Sequence, residues 1–230
     1  MELLIERSEH VAILTLNRPQ SRNALNLSLR RALLDFVKNE APQFKVIILT
    51  GAGTAFCAGM DLKEKLGGDS ARELFVLIKA IYDCPSIFIA AVNGVAFGGG
   101  NILVTACDMT IASSGARFGL PNLKFGVYPA IAGSFLQLFI GKKAATDMVM
   151  MDELFTAEKA LRVGLISQIV SKKKLMDEAH NRAQHLTQFD RSVLAASKKL
   201  MNTVPLSSEL LDQSVEKIFN LFKQMNPQTD

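Results

Sequence analysis

Two long apolar runs, each followed by a loop of small residues, constrain what this chain can fold into more than any other feature. Residues 45–50 (KVIILT) and 86–92 (SIFIAAV) contain one charged residue between them. Runs of this kind are typical of strands buried on both faces, as in parallel sheets covered by helices. The segment between the two runs is predicted to contain a helix, with Ser70 as its N-terminal cap. The alternation predicts an α/β fold.

The rest of the chain continues this alternation and then becomes helical. Asn26 is placed to cap one helix, and Thr156 another that ends before Gly164. We expect an α/β core in residues 1–165 and a helical region in residues 166–230. The other predicted strands are 3–6, 11–16, 109–112 and 165–170, and the next predicted helices are 102–106 and 136–151. Two further helices are predicted from their apolar stripes: one stripe is Leu175, Ala179, Ala183 and Leu186, and the other is Leu211, Val215, Ile218 and Phe222.

The composition argues against several classes of protein. The net charge is +4, there is no Trp, and the densest basic run, residues 172–174, contains no aromatic residue, so we expect no nucleic-acid partner. Cys57, Cys84 and Cys107 lack the CxxC spacing of a zinc site, which predicts buried thiols in a reducing compartment and no metal. Because no apolar run reaches the roughly 18 residues of a membrane span, and residues 1–6 lack a basic signal start, we expect a cytoplasmic protein without a membrane partner.

Two loops carry the candidate chemistry. Residues 58–61 (AGMD) and 98–100 (GGG) each follow an apolar strand and precede a predicted helix start. Free N–H groups at two helix starts, aimed at one point, can hold a developing oxyanion, and one such donor contributes about 3 kcal/mol to transition-state stabilisation. Taken singly, each loop is better explained by a tight turn; the two loops together favour a site. The G-x-G-x-x-G spacing of a dinucleotide site is missing, which leaves an NAD(P)-dependent oxidoreductase a distant alternative.

The order and spacing of several short motifs are similar to those of the enoyl-CoA hydratase/isomerase (crotonase) superfamily. The resemblance extends from the start of the chain to about residue 170. The matching segments are 16–19 (LNRP), 23–25 (NAL), 56–62 (FCAGMDL), 90–94 (AAVNG), 98–100 (GGG), 107–108 (CD), 118–121 (FGLP), 156–160 (TAEKA) and 164–165 (GL).

This resemblance implies a crotonase-like spiral of ββα units with a C-terminal helical region that mediates trimerisation. It also implies homotrimers or dimers of trimers that take an acyl-CoA thioester as substrate and need no further cofactor. The oxyanion donors would be the N–H groups of Met60 and Gly99. The residues expected along the substrate and its CoA portion are Arg22, Ala24, Ala58, Gly59, Asp61, Leu62, Lys63, Gly98 and Asn122. Arg22 and Lys63 can equally be explained as exposed surface cations. Asp61 can be explained as a helix cap.

The residues that would exchange protons depart from the family pattern. The positions that carry Glu in hydratases and isomerases hold Ile102, Asn122 and Ala130 here. Hydration needs a group that takes a proton and one that gives it, and each contributes about 10²–10⁴-fold. We therefore predict weak or no hydratase activity. Enolate stabilisation alone suits a decarboxylase, in which Tyr128 would orient or protonate the enolate, although a half-buried Tyr with a satisfied hydroxyl explains Tyr128 better. The same residues also suit an acyl-CoA-binding pseudoenzyme.

Overall fold

The computed structural model describes residues 1–64, 68–121, 123–125 and 130–202, and for residues 68, 125 and 130–134 the backbone alone. Ten strands and seven α-helices lie in these ranges. The strands are β1 (Leu3–Arg7), β2 (Val11–Leu16), β3 (Val46–Gly51), β4 (Ala55–Cys57), β5 (Ile87–Val92), β6 (Val95–Phe97), β7 (Met109–Ser113), β8 (Arg117–Gly119), β9 (Phe155–Thr156) and β10 (Gln168–Val170). The helices are α1 (Leu27–Asn39), α2 (Gly68–Asp83), α3 (Gly99–Ala106), α4 (Ala130–Met150), α5 (Ala157–Arg162), α6 (Leu175–Thr187) and α7 (Arg191–Met201).

The larger sheet has six strands in the order β1-β2-β3-β5-β7-β10. Strand β1 pairs with β2 antiparallel, and every other pair in this sheet is parallel. Strands β3 and β5 are buried along their whole length, so the two apolar runs are central parallel strands, as predicted. A parallel strand pair needs a crossover connection, and this brings the loop after each strand to the same edge.

The smaller sheet has the order β4-β6-β8-β9. Its strands have two or three residues each, too few to show a period of two, and the sequence pattern alone does not indicate them. Each of β3, β5 and β7 is followed by a short strand of this second sheet and then by a helix. The expected α/β fold with repeated ββα units is therefore confirmed.

The helix caps follow the sequence signals in two of three places. The Asn26 side chain accepts a hydrogen bond from the Leu29 N–H (2.9 Å) at the start of α1, and Thr156 accepts from the Lys159 N–H (3.2 Å) at the start of α5. The third expectation is wrong, because α2 begins at Gly68, two residues before Ser70. Helix α4 starts earlier than predicted and contains a break at Gly141, whose φ of 76° is not helical.

Residues beyond 165 complete the larger sheet. Strand β10 pairs with β7 at its edge. Helix α6 packs Leu175, Ala179 and Ala183 against a second buried cluster on the sheet, which includes Val46 and Ile48. Helix α7 lies against β5. The main core fills the other side of the larger sheet, between its strands and helices α1, α2 and α3, so the loops that follow β4 and β6 are supported by packed helices.

No helix in the described ranges is long and apolar enough to cross a membrane. The predicted stripe Leu211, Val215, Ile218 and Phe222 lies outside the described residues.

Candidate active site

The two small-residue loops meet in the folded chain. A Cβ added to Gly59 would lie 2.8 Å from the carbonyl oxygen of Phe97 and 3.3 Å from the nitrogen of Gly99. A Cβ added to Gly98 would lie 3.7 Å from the Cα of Gly59. Gly59 itself has a φ of 100°, which side-chain-bearing residues rarely adopt. Only glycine permits this approach without displacing one loop from the other.

The Met60 N–H points away from the strand that supports it. Leu25 forms a parallel bridge with Met60: the Leu25 N–H donates to the Gly59 carbonyl (2.7 Å), and the Asp61 N–H donates to the Leu25 carbonyl (3.2 Å). Because successive N–H groups of an extended segment point to opposite sides, the Met60 N–H faces away from Leu25. Within the parts of the chain that the structure describes, it has no hydrogen-bond acceptor.

The second amide is the first N–H of α3. Gly98 precedes the helix with φ 50° and ψ −122°, a combination open essentially to glycine alone. The Gly99 N–H has no acceptor in the described ranges, as expected for the first turn of a helix. A Cβ on Gly99 would lie 3.6 Å from the Met60 nitrogen, and a Cβ lies about 2.5 Å from its own nitrogen, so the two amide nitrogens are no more than about 6 Å apart.

Asp61 is bound within the protein. Its Oδ2 accepts a hydrogen bond from Arg18 (2.8 Å), and its Oδ1 accepts from the Lys63 N–H (3.1 Å). It thus caps the turn at residues 62–64, where the sequence allowed a helix cap. Burial raises the pKa of the Asp61 carboxyl, but the hydrogen bonds from Arg18 and Lys63 and the charges of both cations outweigh burial, so that its pKa lies below the usual value. Asp61 is therefore a charged structural group.

A buried arginine holds the far end of the same loop. Arg30 of α1, with a side chain 3% exposed, donates to the Leu25 carbonyl (2.8 Å) and to the carboxylates of Glu64 (3.2 Å) and Glu73 (2.9 Å). Sequence reasoning missed both Arg30 and Glu64. The available signal is that Arg30 lies on the apolar face of α1, three residues before Leu33 and seven before Val37. A cation on such a face predicts a buried partner.

The other predicted residues lie along the same loop or outside the described ranges. Ala24 is buried and Ala58 is half-buried, whereas Arg22, Leu62 and Lys63 are exposed beside them. Asn122 and Tyr128, also predicted at the site, lie outside the described residues. Ala130 begins α4, and its side chain lies outside them as well.

The sequence profile of the enoyl-CoA hydratase/isomerase family matches residues 6–229. The chain belongs to this family. It is 36% identical over 207 residues to the probable enoyl-CoA hydratase echA8 of Mycobacterium bovis, covering 87% of this chain and 80% of that protein. It is 34% identical to the 2,3-dehydroadipyl-CoA hydratase of Escherichia coli over 207 residues, which are 87% of this chain and 81% of that protein.

Solved structures agree with this assignment. The enoyl-CoA hydratase/isomerase of Xanthobacter autotrophicus superposes with a TM-score of 0.86 at 30% identity, over 96% of this chain and 87% of that one. The α/β architecture is therefore that of the enoyl-CoA hydratase/isomerase family.

Ile102 is the first of the three positions at which the sequence resemblance predicts an acid–base residue. Ile102 is 5% exposed and packs in the main core on α3, where an aliphatic side chain has no proton to exchange. Cys57, next to the loop, is fully buried, and burial raises the pKa of its thiol to about 12 although the Gly59 N–H hydrogen bond lowers it. The thiol therefore stays protonated near neutral pH. In the described ranges, no three His, Cys, Asp or Glu residues are grouped as metal ligands.

Proposed function

We propose that the protein is an acyl-CoA enzyme that stabilises a thioester enolate with the N–H groups of Met60 and Gly99. The observation that carries this proposal is that the two amides come from separate loops, lie within about 6 Å of each other and have no acceptor in the described ranges. Relatives named for CoA esters, such as the dehydroadipyl-CoA hydratase of E. coli, support the same substrate class.

The physical basis is a charge that develops on one oxygen. Removal of a proton, or of CO₂, from the carbon next to a thioester places negative charge on the carbonyl oxygen. Two fixed N–H donors, one at the positive end of the α3 dipole, stabilise this charge without reorganising. Removal of one such donor typically lowers kcat by about 10²–10³-fold.

The CoA portion is proposed to lie along the first loop. The backbone of residues 58–63 would follow the pantetheine, with Ala24 and Gly98 beside it. Arg22 and Lys63 are exposed at this edge and suit the phosphates of CoA. Asn122 completes the set by its position in the sequence. Assembly into homotrimers or dimers of trimers belongs to the same proposal.

Proton chemistry separates the possible activities. With Ile102, Asn122 and Ala130 at the carboxylate positions, we propose an isomerase, lyase or decarboxylase rather than an efficient hydratase, with Tyr128 as the candidate proton donor. The second candidate function is that of an acyl-CoA-binding pseudoenzyme. The buried, aliphatic Ile102 favours the pseudoenzyme, because this residue leaves the α3 side of the site without an acid.

Titration calorimetry with a panel of acyl-CoAs, run beside product analysis by mass spectrometry, tests these proposals. The enzyme proposal predicts that at least one malonyl-, methylmalonyl- or enoyl-type thioester is bound and converted, with hydration of 2-enoyl-CoA slow or absent. Binding without any product supports the pseudoenzyme. If no thioester is bound, both the enzyme and the pseudoenzyme proposals are overturned. Hydration of 2-enoyl-CoA at an ordinary enzyme rate overturns the conclusion that Ile102, Asn122 and Ala130 leave the protein without the groups needed for hydration.

A further inference from the structure

Arg30 ties three elements together around the Met60 loop. Its guanidinium contacts the Leu25 carbonyl and the carboxylates of Glu64 and Glu73 at 2.8, 3.2 and 2.9 Å. The second carboxylate oxygen of Glu64 accepts the Leu27 N–H (2.8 Å) at the start of α1. The end of the loop is therefore attached both to the helix start and to the segment that pairs with Met60.

Arg18 makes the same kind of contact at the other side of the loop. Its Nη1 donates to the Ala24 carbonyl (2.5 Å) and to Asp61 Oδ2 (2.8 Å). Its Nε lies 2.9 Å from a carboxylate oxygen of Glu2. Both arginines thus join a carbonyl of residues 24–25 to a carboxylate of residues 61–64, and their side chains are only 13% and 3% exposed.

We propose that Arg30, acting with Arg18, is a positioning residue that fixes the direction of the Met60 N–H; this inference rests on the proposed oxyanion role of that amide. The backbone on both sides of Met60 is held to the neighbouring segment by the two hydrogen bonds of Leu25. Arg18 binds the carbonyl of Ala24, and Arg30 binds the carbonyl of Leu25, the residue that forms this bridge. A planar fork satisfies a carbonyl and a carboxylate at once, which a lysine ammonium does less well.

The proposal predicts a loss in turnover rather than in substrate affinity. A misplacement of about 1 Å in an active site can cost about 100-fold in rate. We expect Arg30→Met to lower kcat about 10- to 100-fold while KM changes less than about threefold. Arg31→Met is the matched control, because Arg31 lies next in the same helix, is 69% exposed and makes one contact of 3.4 Å with Glu73.

The carbonyl of a bound, unreactive ligand reports the geometry directly. Infrared difference spectra of hexanoyl-CoA labelled with ¹³C at the thioester carbonyl measure how strongly the oxyanion donors polarise it. We expect the wild-type protein and Arg31→Met to move the band to lower frequency, and Arg30→Met to lose at least half of that shift. Glu64→Gln can keep an acceptor for Leu27 but removes both the charge and the acceptor opposite Arg30. Because Arg30 keeps its bonds to the Leu25 carbonyl and Glu73, we expect this variant to lose a smaller part of the shift than Arg30→Met.

Amide hydrogen exchange gives a readout that needs no ligand. In Arg30→Met the Leu25 and Asp61 amides, which form the bridge to the Met60 loop, should exchange at least about tenfold faster while core amides of β3 and β5 keep their protection. If the wild type shows the carbonyl shift, and neither amide exchange nor that shift changes in Arg30→Met and Glu64→Gln, the positioning role alone is overturned. No carbonyl shift in the wild type overturns the proposed function, and the positioning role with it.

Discussion

Asp61 is a charged residue next to the proposed oxyanion donor, and it supports the loop structurally without acting as an acid or a base. Its carboxylate is bonded by Arg18 and by the Lys63 N–H, so its charge is balanced beside the oxyanion that the adjacent Met60 N–H is proposed to hold. A carboxylate left unpaired at this position would oppose the developing negative charge. Pairing with a buried guanidinium turns the same residue into a support for the loop.

The lowered pKa of Asp61 gives stability a defined dependence on pH. Because its native pKa lies below the usual value of about 3.9, the unfolded chain binds the proton first as pH falls. The contribution of Asp61 is complete near pH 6–7 and is lost as pH falls through the lowered native pKa. We expect the difference in free energy of unfolding between wild type and Asp61→Asn to be largest near pH 7 and to narrow below about pH 4. Urea denaturation at pH 7, 5 and 3.5 measures it; a difference that stays constant down to pH 3.5 contradicts the ion pair.

Residue-level prediction succeeded at two of the three residues with a local cap signature, with Ser70 the exception, and failed where a residue's partner is distant. Asn26 and Thr156 were identified as caps because a cap bonds to a residue three positions away. Arg30 and Glu64 are 34 positions apart, and no local pattern joins them. Met60 and Gly99 were brought together only by the family resemblance, since the approach of two loops depends on the crossovers between parallel strands.

At the scale of elements, the site depends on how closely two loops can pack. Gly59→Ala would place a methyl group 2.8 Å from the Phe97 carbonyl at a φ of 100°, so the loops must separate. We expect it to lower kcat by about 100-fold or, if there is no turnover, to remove most of the shift of the acyl-CoA carbonyl band. We expect the free energy of unfolding to fall by about 1–3 kcal/mol.

Gly115→Ala is the matched control for this change. An added Cβ on Gly115 meets nothing within 4 Å, and its φ is not positive, so its stability should stay within about 0.5 kcal/mol of wild type. Steady-state kinetics and urea denaturation of the two variants compare them. Equal behaviour of Gly59→Ala and Gly115→Ala would show that the close approach of the two loops is not needed.

Helix α7 is fastened to the core by a buried ion pair. The Lys198 side chain, 3% exposed, donates to Asp108 (2.9 Å) and to the carbonyls of Ile81 (3.1 Å) and Ser86 (2.9 Å). Asp108 also accepts the Phe88 N–H at 2.7 Å. Asp108 is therefore a hydrogen-bonded structural group.

Breaking this pair from one side should cost far more than removing both charges. We expect Lys198→Met to lower the free energy of unfolding by about 3–5 kcal/mol, because Asp108 is left charged and unpaired. Lys198→Met combined with Asp108→Asn should recover a substantial part, since Asn can still accept the Phe88 N–H. Equilibrium unfolding of the single and double variants forms the cycle. Additive losses would contradict direct coupling between the two side chains.

At the scale of the whole molecule, the larger sheet was predictable and the smaller one was not. Strands β3 and β5 carry a strong signal because both faces are buried, so their composition alone is distinctive. Strands β4, β6 and β8 have three residues each and exist because longer strands and helices bring them together. The division at residue 165 remains a prediction, although β10 and α6 beyond it complete the sheet and its core.

One surface of the single chain is more apolar than a protein in water usually leaves free. Met150 and Met151 at the end of α4 are 66% and 74% exposed, and Leu154 close by is 48% exposed. Contiguous apolar patches of more than a few hundred Å² often mark contact sites between proteins, and these three large apolar side chains lie within five residues of the chain. With the trimers implied by the family resemblance, these side chains are expected to be covered by a second copy.

Light scattering coupled to size exclusion tests this expectation. The wild type should elute with three or six times the 25.1 kDa mass of one chain, because burial of these side chains contributes roughly 25 cal/mol for each Å² of apolar surface covered. Met150→Glu combined with Met151→Glu places two like charges in the contact and should shift the mass towards that of one chain. Leu4→Glu, at a residue of similar type that is 40% exposed on β1, serves as the control and should leave the mass unchanged. If both variants keep the wild-type mass, the contact lies elsewhere on the molecule; a wild-type mass of one chain contradicts the proposed assembly itself.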